Sequence, residues 1–306
     1  MASVREVTGE SRTGFAIAML VLATMLTPFL DSAAKVLTAT LPVLFIVTWR
    51  YAFQALVLLP VVITRHRRAL WAMPSLRMQL LRSLLIVTSA LCFFNALSYA
   101  PLADVVAIFF INPFVVTAVA PAVLGERVGV WRWSAVVVGF IGVMFVIRPV
   151  FEAVGPGTLF ALAAGVLFAC FALVSRRLAG QAPPLVAGFL TGLVGAAVFG
   201  VTLPWVWTSP TLNEWGLLAL AGALGALVHS FLAIAYDNAD ATTLAPFSYG
   251  EMLSAAAVGY VVFRDIPASL SWLGMALIAA SGIVIALREA RSGRRSSLSA
   301  PRPPRR

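Results

Sequence analysis

The chain is a succession of apolar runs, most of them long enough to cross a lipid bilayer. About 20 apolar residues in a helix span the hydrocarbon core, and on that scale the sequence predicts ten spans. Their predicted bounds are 13–36, 42–64, 79–99, 104–123, 131–149, 157–177, 184–204, 214–236, 241–263 and 268–288. Because lipid cannot satisfy the hydrogen bonds of an open backbone, we expect these spans to be helices and the fold class to be an all-α membrane protein.

The composition agrees with a membrane protein and argues against other classes. Hydrophobic residues make up 61% of the chain and charged residues 11%, which is outside the range of soluble domains. Cys92 and Cys170 lie in apolar runs without the spacing of a disulfide framework or a metal site, so no metal or cofactor is expected. The net charge of +10 lies largely in short loops and in the C-terminal tail. This distribution is typical of membrane topology and argues against nucleic-acid binding.

The arginines indicate how the predicted bundle is oriented. Ten spans place both termini on one side, and if that side is the cytoplasm, cytoplasmic segments hold 17 arginines and the opposite side holds two, Arg148 and Arg264. Cytoplasmic loops carry an excess of Lys and Arg. We therefore predict a multi-pass protein of the cell inner membrane, in contact with the lipid bilayer, with cytoplasmic N- and C-termini.

The two halves of the chain resemble each other. The segment YAPLADVVAIFFINPFVV from Tyr99 is similar to YDNADATTLAPFSYGEML from Tyr236, and an acid follows each, Glu126 and Asp265 respectively. Each half has five spans, and an odd number means that the second half enters the membrane in the opposite orientation. We predict two inverted five-helix repeats at 13–149 and 157–288, preceded by a cytoplasmic N-terminus, 1–12, and followed by a disordered basic cytoplasmic tail, 289–306.

This arrangement resembles the EamA form of the drug/metabolite transporter superfamily. The resemblance is carried by the repeat, by FFINPFVVTAVAPAVLGERVG at 109–129 and by its counterpart VVFRDIPASLSWLG at 261–274, in which RDIPA replaces GERVG. FLDSAAKVL in the first span and DATTLAPFSYGEML in the ninth are similar to riboflavin and S-adenosylmethionine uptake carriers. The resemblance implies a ten-helix carrier for a small metabolite.

Glu251 is the first candidate for a substrate-binding or coupling residue. It lies ten residues into its span, about 15 Å deep at 1.5 Å per residue, where a charged side chain costs about 2.5–3.5 kcal/mol on translocon scales. We expect it to face a protein interior or a water-filled cavity. The alternative is a protonated carboxyl group that is hydrogen-bonded to a neighbouring helix.

Asp31, Lys35 and Arg50 are further candidates. Asp31 and Arg50 have no charged counterpart in the other half, which favours a role in binding. Asp31 precedes Lys35 by four residues, so a plain ion pair between them is an equal alternative. Arg50 lies about 12 Å into its span and needs a partner, either Asp31 or an anionic group of the substrate.

Helix-breaking residues and aromatic rings complete the predicted site. Asn112 and Pro113 lie mid-span, near where Pro246 falls in the second half, and paired breaks of this kind point to a binding region. Three aromatic rings could stack on a substrate: Trp49, Phe247 and Tyr249. His229 could titrate near neutral pH. A kink without ligand contact, simple packing and a buried hydrogen bond are the respective alternatives.

These features favour a secondary transporter for a small metabolite that is riboflavin-like or S-adenosylmethionine-like, with an amino acid or a drug also considered. Lys35 is the chain's one lysine and lies in no phosphate-binding GxxxxGK[ST] loop, so energy must come from a gradient, from exchange or from downhill flow. Proton coupling through Glu251 or Asp31 is a further hypothesis. An intramembrane enzyme is the alternative, but it would need a cluster of His, Asp or Cys that is absent from the sequence. Monomer and homodimer are both compatible with the pattern.

Overall fold

The structure is a computed structural model that describes residues 2–71, 73–124, 130–147, 155–178, 180–239, 244 and 247–298. Within these ranges the regular structure is helical throughout, which confirms the predicted all-α fold. The helices are α1 (Ala2–Leu37), α2 (Val43–Arg65), α3 (Arg67–Trp71), α4 (Leu76–Leu97), α5 (Leu102–Phe109), α6 (Asn112–Leu124), α7 (Val130–Ile147), α8 (Pro156–Arg177), α9 (Pro184–Gly200), α10 (Leu203–Val206), α11 (Leu212–Asn238), α12 (Gly250–Val258) and α13 (Ser269–Leu298). A π-helical turn, Gly259–Phe263, continues α12.

Several helices are long and apolar enough to cross a bilayer, as expected of a multi-pass membrane protein. Within the described ranges the six that meet both conditions are Arg12–Leu37, Val43–Arg65, Leu76–Leu97, Leu102–Val119, Pro156–Arg177 and Leu212–Tyr236. Shorter apolar helices lie at Trp133–Ile147, Pro184–Gly200, Gly250–Phe263 and Ser269–Val284. Each of these segments overlaps a predicted span.

Helix packing joins the first half of the chain to the second. The helix α1 packs against α11, and α4 packs against α8; α2 packs against α9, and α7 against α13. In order along each half, α1 corresponds to α8, α2 to α9, α4 to α11 and α7 to α13. If each helix is replaced by its counterpart in the other half, the α1–α11 contact becomes the α8–α4 contact. The α2–α9 and α7–α13 contacts each join a helix to its own counterpart and are unchanged. This is a two-repeat architecture.

Glycines allow these helices to approach closely. A Cβ atom at Gly274 of α13 would lie 2.5 Å from the carbonyl oxygen of Gly142 in α7, and one at Gly195 of α9 would lie 2.6 Å from the ring of Tyr51 in α2. Lipid is as apolar as the side chains, so helices in a membrane associate through close packing of this kind. Gly274 and Gly195 therefore have a packing role.

Contacts between helix ends define two ends of the bundle. We call the end that contains Val43, the first residue of α2, the upper end, and the end that contains Arg65 the lower end. At the upper end, Thr40 donates a hydrogen bond to the Glu214 carboxylate at the start of α11, and the rings of Tyr99 and Phe160 stack 6.3 Å apart. The first contact places the loop after α1 and the start of α11 at the upper end, and the second brings the end of α4 to the start of α8.

The C-terminal helix differs from the sequence prediction. Its backbone is helical as far as Leu298, whereas the sequence predicted a disordered tail from residue 289. Extending an existing helix fixes one residue for each hydrogen bond gained, without the cost of a new nucleus, so the polar residues after the span can continue it. Residues 299–306, the LGER motif from Gly125 onward, Arg148 and Pro246 lie outside the described residues.

Candidate functional site

Two interrupted helices meet where the halves of the chain come together. The helix α5 ends at Phe109 and α6 begins at Asn112, while α12 begins at Gly250 immediately after a turn at Tyr249. The rings of Phe110 and Tyr249 lie 5.3 Å apart with an interplanar angle of 36°. The interruption predicted around Asn112 is therefore present, and it contacts the residue at which α12 begins.

Asn112 holds the first of these interruptions in place. Its side-chain amide donates a hydrogen bond of 2.9 Å to the carbonyl oxygen of Phe109, a group that the end of α5 leaves without a helical partner. Pro113 follows within the first turn of α6, where a missing N–H costs nothing. These contacts give Asn112 a structural role next to the rings of Phe110 and Tyr249.

Glu251 lies in the first turn of α12, beside α1. A carboxylate at a helix N-terminus is stabilised by the helix dipole, and the side chain is partly buried. Ser254, one turn further on, donates a 3.0 Å hydrogen bond to the carbonyl oxygen of Thr24 and ties α12 to α1. Glu251 lies within electrostatic range of Asp31 on α1, so the two acids face the same region.

Asp31 and Arg50 are both buried, with 4% and 7% of their surfaces exposed. The charge of Arg50 acts on Asp31, but the two residues form no ion pair within 4.0 Å. In the part of the chain that the structure describes, Oδ2 of Asp31 and Nε and Nη1 of Arg50 have no hydrogen-bond partner. The direct bridge considered from the sequence is therefore not formed, and both residues retain unused hydrogen-bonding capacity.

The four-residue spacing suggested that Lys35 could pair with Asp31, but in the structure the two residues form no ion pair. Its ammonium lies 2.9 Å from Oδ2 of Asp265 and 4.6 Å from the centre of the Phe263 ring. The partners are 17% and 34% exposed, so desolvation costs less here than it would beside the buried Asp31. Lys35 thus links the end of α1 to the segment that follows the π-helical turn, and Asp31 is left without a cationic partner on its own helix.

Aromatic rings and a glycine surround the Arg50 side chain. The guanidinium lies 4.4 Å from the centre of the Tyr51 ring and 5.8 Å from that of Phe94, distances at which a cation is attracted to a ring face. A Cβ atom at Gly225 of α11 would lie 3.1 Å from Nη2 of Arg50 and 3.1 Å from Oε1 of Gln54. The absence of a side chain at Gly225 is what leaves room for both groups.

Gln54 was not predicted from the sequence. It is fully buried, and its amide nitrogen donates a 3.1 Å hydrogen bond to the carbonyl oxygen of Gly188 in α9. Its carbonyl oxygen has no partner among the described residues. The available signal was its position four residues after Arg50, which places both side chains on one face of α2.

His229 joins the same region from α11. Its Nδ1 lies 3.0 Å from the carbonyl oxygen of Gly225, and the charges of Arg50 and Arg82 both act on it. Arg82, on α4, is partly buried, with its guanidinium 5.8 Å from the centre of the Phe171 ring. His229 is therefore both a buried hydrogen-bonding residue and a neighbour of the candidate site.

We call Asp31, Arg50, Gln54, His229 and Glu251 the polar cluster. Its members come from α1, α2, α11 and α12, so both halves of the chain contribute. The cluster has the chemistry to bind a zwitterion, because it offers a guanidinium for an anionic group and two carboxyl groups for a cationic one.

A search with protein-family models identifies the group to which this chain belongs. The EamA-like transporter family matches twice, over residues 14–148 and 155–287. The chain belongs to the EamA-like transporter family. The two matched ranges lie over the two halves that the sequence comparison distinguished, and the resemblance noted from the motifs is confirmed.

Proteins similar to this EamA transporter carry several cargoes. It is 27% identical to an S-adenosylmethionine uptake transporter of Rickettsia bellii, over 85% of this chain and 89% of the relative. It is 30% identical to a riboflavin transporter of Rhizobium johnstonii, over 81% and 82%. It is 26% identical to a pseudopaline exporter of Pseudomonas aeruginosa, over 88% and 95%. Family and relatives indicate a membrane transporter of small metabolites rather than an enzyme.

A solved structure supports the fold of this EamA transporter. One crystal structure matches with a TM-score of 0.62 and 19% sequence identity, over 91% of this chain and 98% of that one. At this identity the likeness concerns the fold alone, so the choice of site residues depends on the geometry described above.

Of the predicted aromatic residues of this EamA transporter, Trp49 packs against other rings and Phe247 is exposed. Trp49 packs edge-on against Trp215, with ring centres 4.7 Å apart, near the upper end. Phe45, which lies one turn before Trp49, contacts Trp207 in the segment before α11. Phe247 is 39% exposed and has no ring contact among the described residues. Tyr249 is thus the predicted ring that the structure places beside another helix interruption.

Proposed function

We propose that this protein is a secondary transporter that binds a small zwitterionic metabolite at the polar cluster. The observation that carries the proposal is the pair Asp31 and Arg50: two buried, oppositely charged groups from α1 and α2 that lack a direct ion pair. A buried charge without a close partner is costly. A ligand that brings a carboxylate to Arg50 and a cationic group to Asp31 or Glu251 would offset that cost for both.

The substrate class that fits this arrangement carries a carboxylate, a positive charge and a flat ring. S-adenosylmethionine has all three, with a carboxylate, a sulfonium and an adenine ring. The rings of Phe110 and Tyr249 lie 5.3 Å apart beside Glu251 and provide apolar surface for the heterocycle. The same aromatic pair is the observation that favours the second candidate, a riboflavin-like compound.

The proposed topology has ten membrane spans in two inverted repeats, with both termini in the cytoplasm. The lower end, which holds Arg65, Arg67 and Arg68, is then cytoplasmic, in agreement with the excess of positive residues expected there. The symmetric packing of α1 with α11 and of α8 with α4 supports a two-fold relation between the halves. Alternating access would follow from movement of one half against the other around the polar cluster.

Uptake by proteoliposomes tests the proposal. We expect radiolabelled S-adenosylmethionine to accumulate intact, and Arg50→Gln and Asp31→Asn each to reduce initial uptake by at least tenfold, which corresponds to about 1.4 kcal/mol. Arg12→Gln is the matched control, because Arg12 is exposed on the same helix as Asp31. If both cluster variants transported like Arg12→Gln, the polar cluster would not be the binding site. Conversion of the solute inside the vesicles would favour an intramembrane enzyme.

Riboflavin in the same vesicles separates the two substrate classes. Two results together would favour the riboflavin-like cargo: unlabelled riboflavin competes with the labelled solute, and Arg50→Gln leaves uptake unchanged. A riboflavin-like cargo carries no carboxylate for the guanidinium, so its uptake should not depend on Arg50. Loss of uptake in Arg50→Gln together with competition by S-adenosylmethionine would favour the zwitterion.

Proton coupling through Glu251 or Asp31 is part of the same proposal. Both are carboxyl groups within the bundle, and the charge of Asp31 acts on Glu251, so binding a cationic substrate and binding a proton would compete. We expect an imposed pH gradient to change uptake by the wild-type protein and to have no effect on the variant that lacks the coupling acid, Glu251→Gln or Asp31→Asn. Equal wild-type rates with and without the gradient would exclude proton coupling.

A further inference from the structure

A groove lies at the lower end of the bundle, apart from the polar cluster. It has a volume of about 380 Å³ and lies where α2 ends, α9 begins and α11 ends. Its walls are mainly apolar and include Leu58 and Val61 of α2, Leu185 of α9, and Ala233 and Ile234 of α11. Val61 and Ile234 are exposed on the surface of the bundle, so the groove opens towards the acyl chains of the membrane. None of these residues belongs to the polar cluster.

Positive charge lies at one end of this groove. His66 lines the groove and follows α2 directly, within the sequence Arg65-His66-Arg67-Arg68. The three arginines are exposed. Basic residues next to an apolar cleft between membrane helices attract anionic lipid headgroups, because a phosphate at the interface can be met by several cations while the chains stay in the hydrocarbon region.

The start of α9 adds to this positive end. Pro183 and Pro184 line the groove, and α9 begins at Pro184. The amide N–H groups of Leu185 and Val186 lie in the first turn, so they have no acceptor within the helix. The positive end of the helix dipole therefore faces the same part of the groove as His66.

We propose that this groove binds one anionic phospholipid of the bilayer. An acyl chain would lie along Leu58, Val61 and Ile234, and the phosphate would lie between the arginines that flank His66 and the start of α9. The apolar walls do not suit a free zwitterionic metabolite, which would leave its charges unpaired there. The lipid would hold α2, α9 and α11 together, and since α2 and α11 also carry Arg50 and His229, it would stabilise the helices that support the polar cluster.

Thermal unfolding of the full-length protein in a neutral detergent tests this inference. We expect phosphatidylglycerol to raise Tm in a saturable way, and phosphatidylcholine with the same acyl chains to raise it much less. The variant Arg65→Gln/Arg67→Gln/Arg68→Gln should lose the difference between the two lipids. The matched control Arg302→Gln/Arg305→Gln/Arg306→Gln removes the same charge from the tail and should keep it.

Two further measurements distinguish the contribution of the lipid headgroup from that of the acyl chains. Glycerophosphoglycerol, which has the headgroup and no acyl chains, should not raise Tm. Ala233→Phe should fill the groove and reduce the effect of phosphatidylglycerol. Val61→Trp, which lines the groove from α2 and is exposed to lipid, serves the same purpose if Ala233→Phe fails to fold. Three results would each overturn the proposal. They are an equal rise in Tm with both lipids, an equal loss of the lipid difference in the two arginine variants, and an unchanged rise in Tm with phosphatidylglycerol in a folded groove-filling variant.

Discussion

Gly282 of α13 makes room for Tyr249, and this contact gives the sharpest test of how the site is built. A Cβ atom at position 282 would lie 1.7 Å from the hydroxyl oxygen of Tyr249 and 2.0 Å from Cζ. To regain an ordinary contact of 3.4 Å, the hydroxyl group would have to move by about 1.7 Å. The ring is 8% exposed, and Phe110 lies 5.3 Å away from its centre, so little free space is available.

Gly282→Ala should therefore destabilise the protein by about 2–3 kcal/mol, the upper part of the range for overpacked cores. The displaced ring would also disturb the contact between the two helix interruptions, so we expect lower uptake in proteoliposomes. The stability change can be measured by reversible unfolding in mixed detergent and SDS micelles. Gly259→Ala is the matched control, because its Cβ atom would lie 3.9 Å from Leu102 and the substitution should leave stability unchanged or raise it by up to about 1 kcal/mol.

A double-mutant cycle identifies the clashing group. Tyr249→Ala removes the hydroxyl and the ring, so Gly282→Ala should cost about 2 kcal/mol less in that background than in the wild type. Tyr249→Phe should not rescue Gly282→Ala, because Cζ would remain 2.0 Å from the new methyl group. Wild-type stability of Gly282→Ala, or the same cost in the wild-type and Tyr249→Ala backgrounds, would refute the steric explanation.

Two further predictions concern contacts between the halves. Lys35→Met should lower stability by less than about 1 kcal/mol, as for other partly exposed ion pairs, and Lys35→Asp combined with Asp265→Lys should restore part of the loss in thermal unfolding. A larger effect for Lys35→Met would mean that the pair is more important than its exposure suggests. Gly274→Ala should cost about 1–3 kcal/mol, because its Cβ atom would meet the carbonyl oxygen of Gly142 at 2.5 Å. Unfolding at the wild-type SDS concentration would contradict that contact.

The position of the first helix interruption was predicted from the sequence, but its contacts were not. Asn112 and Pro113 marked the first interruption correctly, because Pro removes a backbone donor wherever it stands. That this interruption contacts Tyr249, more than 130 residues later, was expected only in general terms from the repeat. The ring-to-ring contact with Phe110 was not predicted, since it depends on which side of each helix faces the other.

The charged residues were recognised as unusual, but their partners were not. Spacing along α1 suggested a pair between Asp31 and Lys35, whereas Lys35 binds Asp265, which is 230 positions away. Gln54 was missed because an uncharged amide in an apolar run gives no signal by composition alone. Its role emerges from its burial beside Arg50 and Gly225.

Apolar length, helix-breaking residues and internal similarity can all be read along the chain, so they were enough to predict that it is helical, lies in a membrane and contains a repeat. Three further features became clear from the packed helices alone: which helices are in contact, which acid pairs with Lys35, and that Asp31 and Arg50 form no direct ion pair. Those outcomes depend on the rotation of each helix about its axis and on glycines such as Gly225 that let a particular pair of helices approach. They are set by packing among distant segments, which no single stretch of sequence encodes.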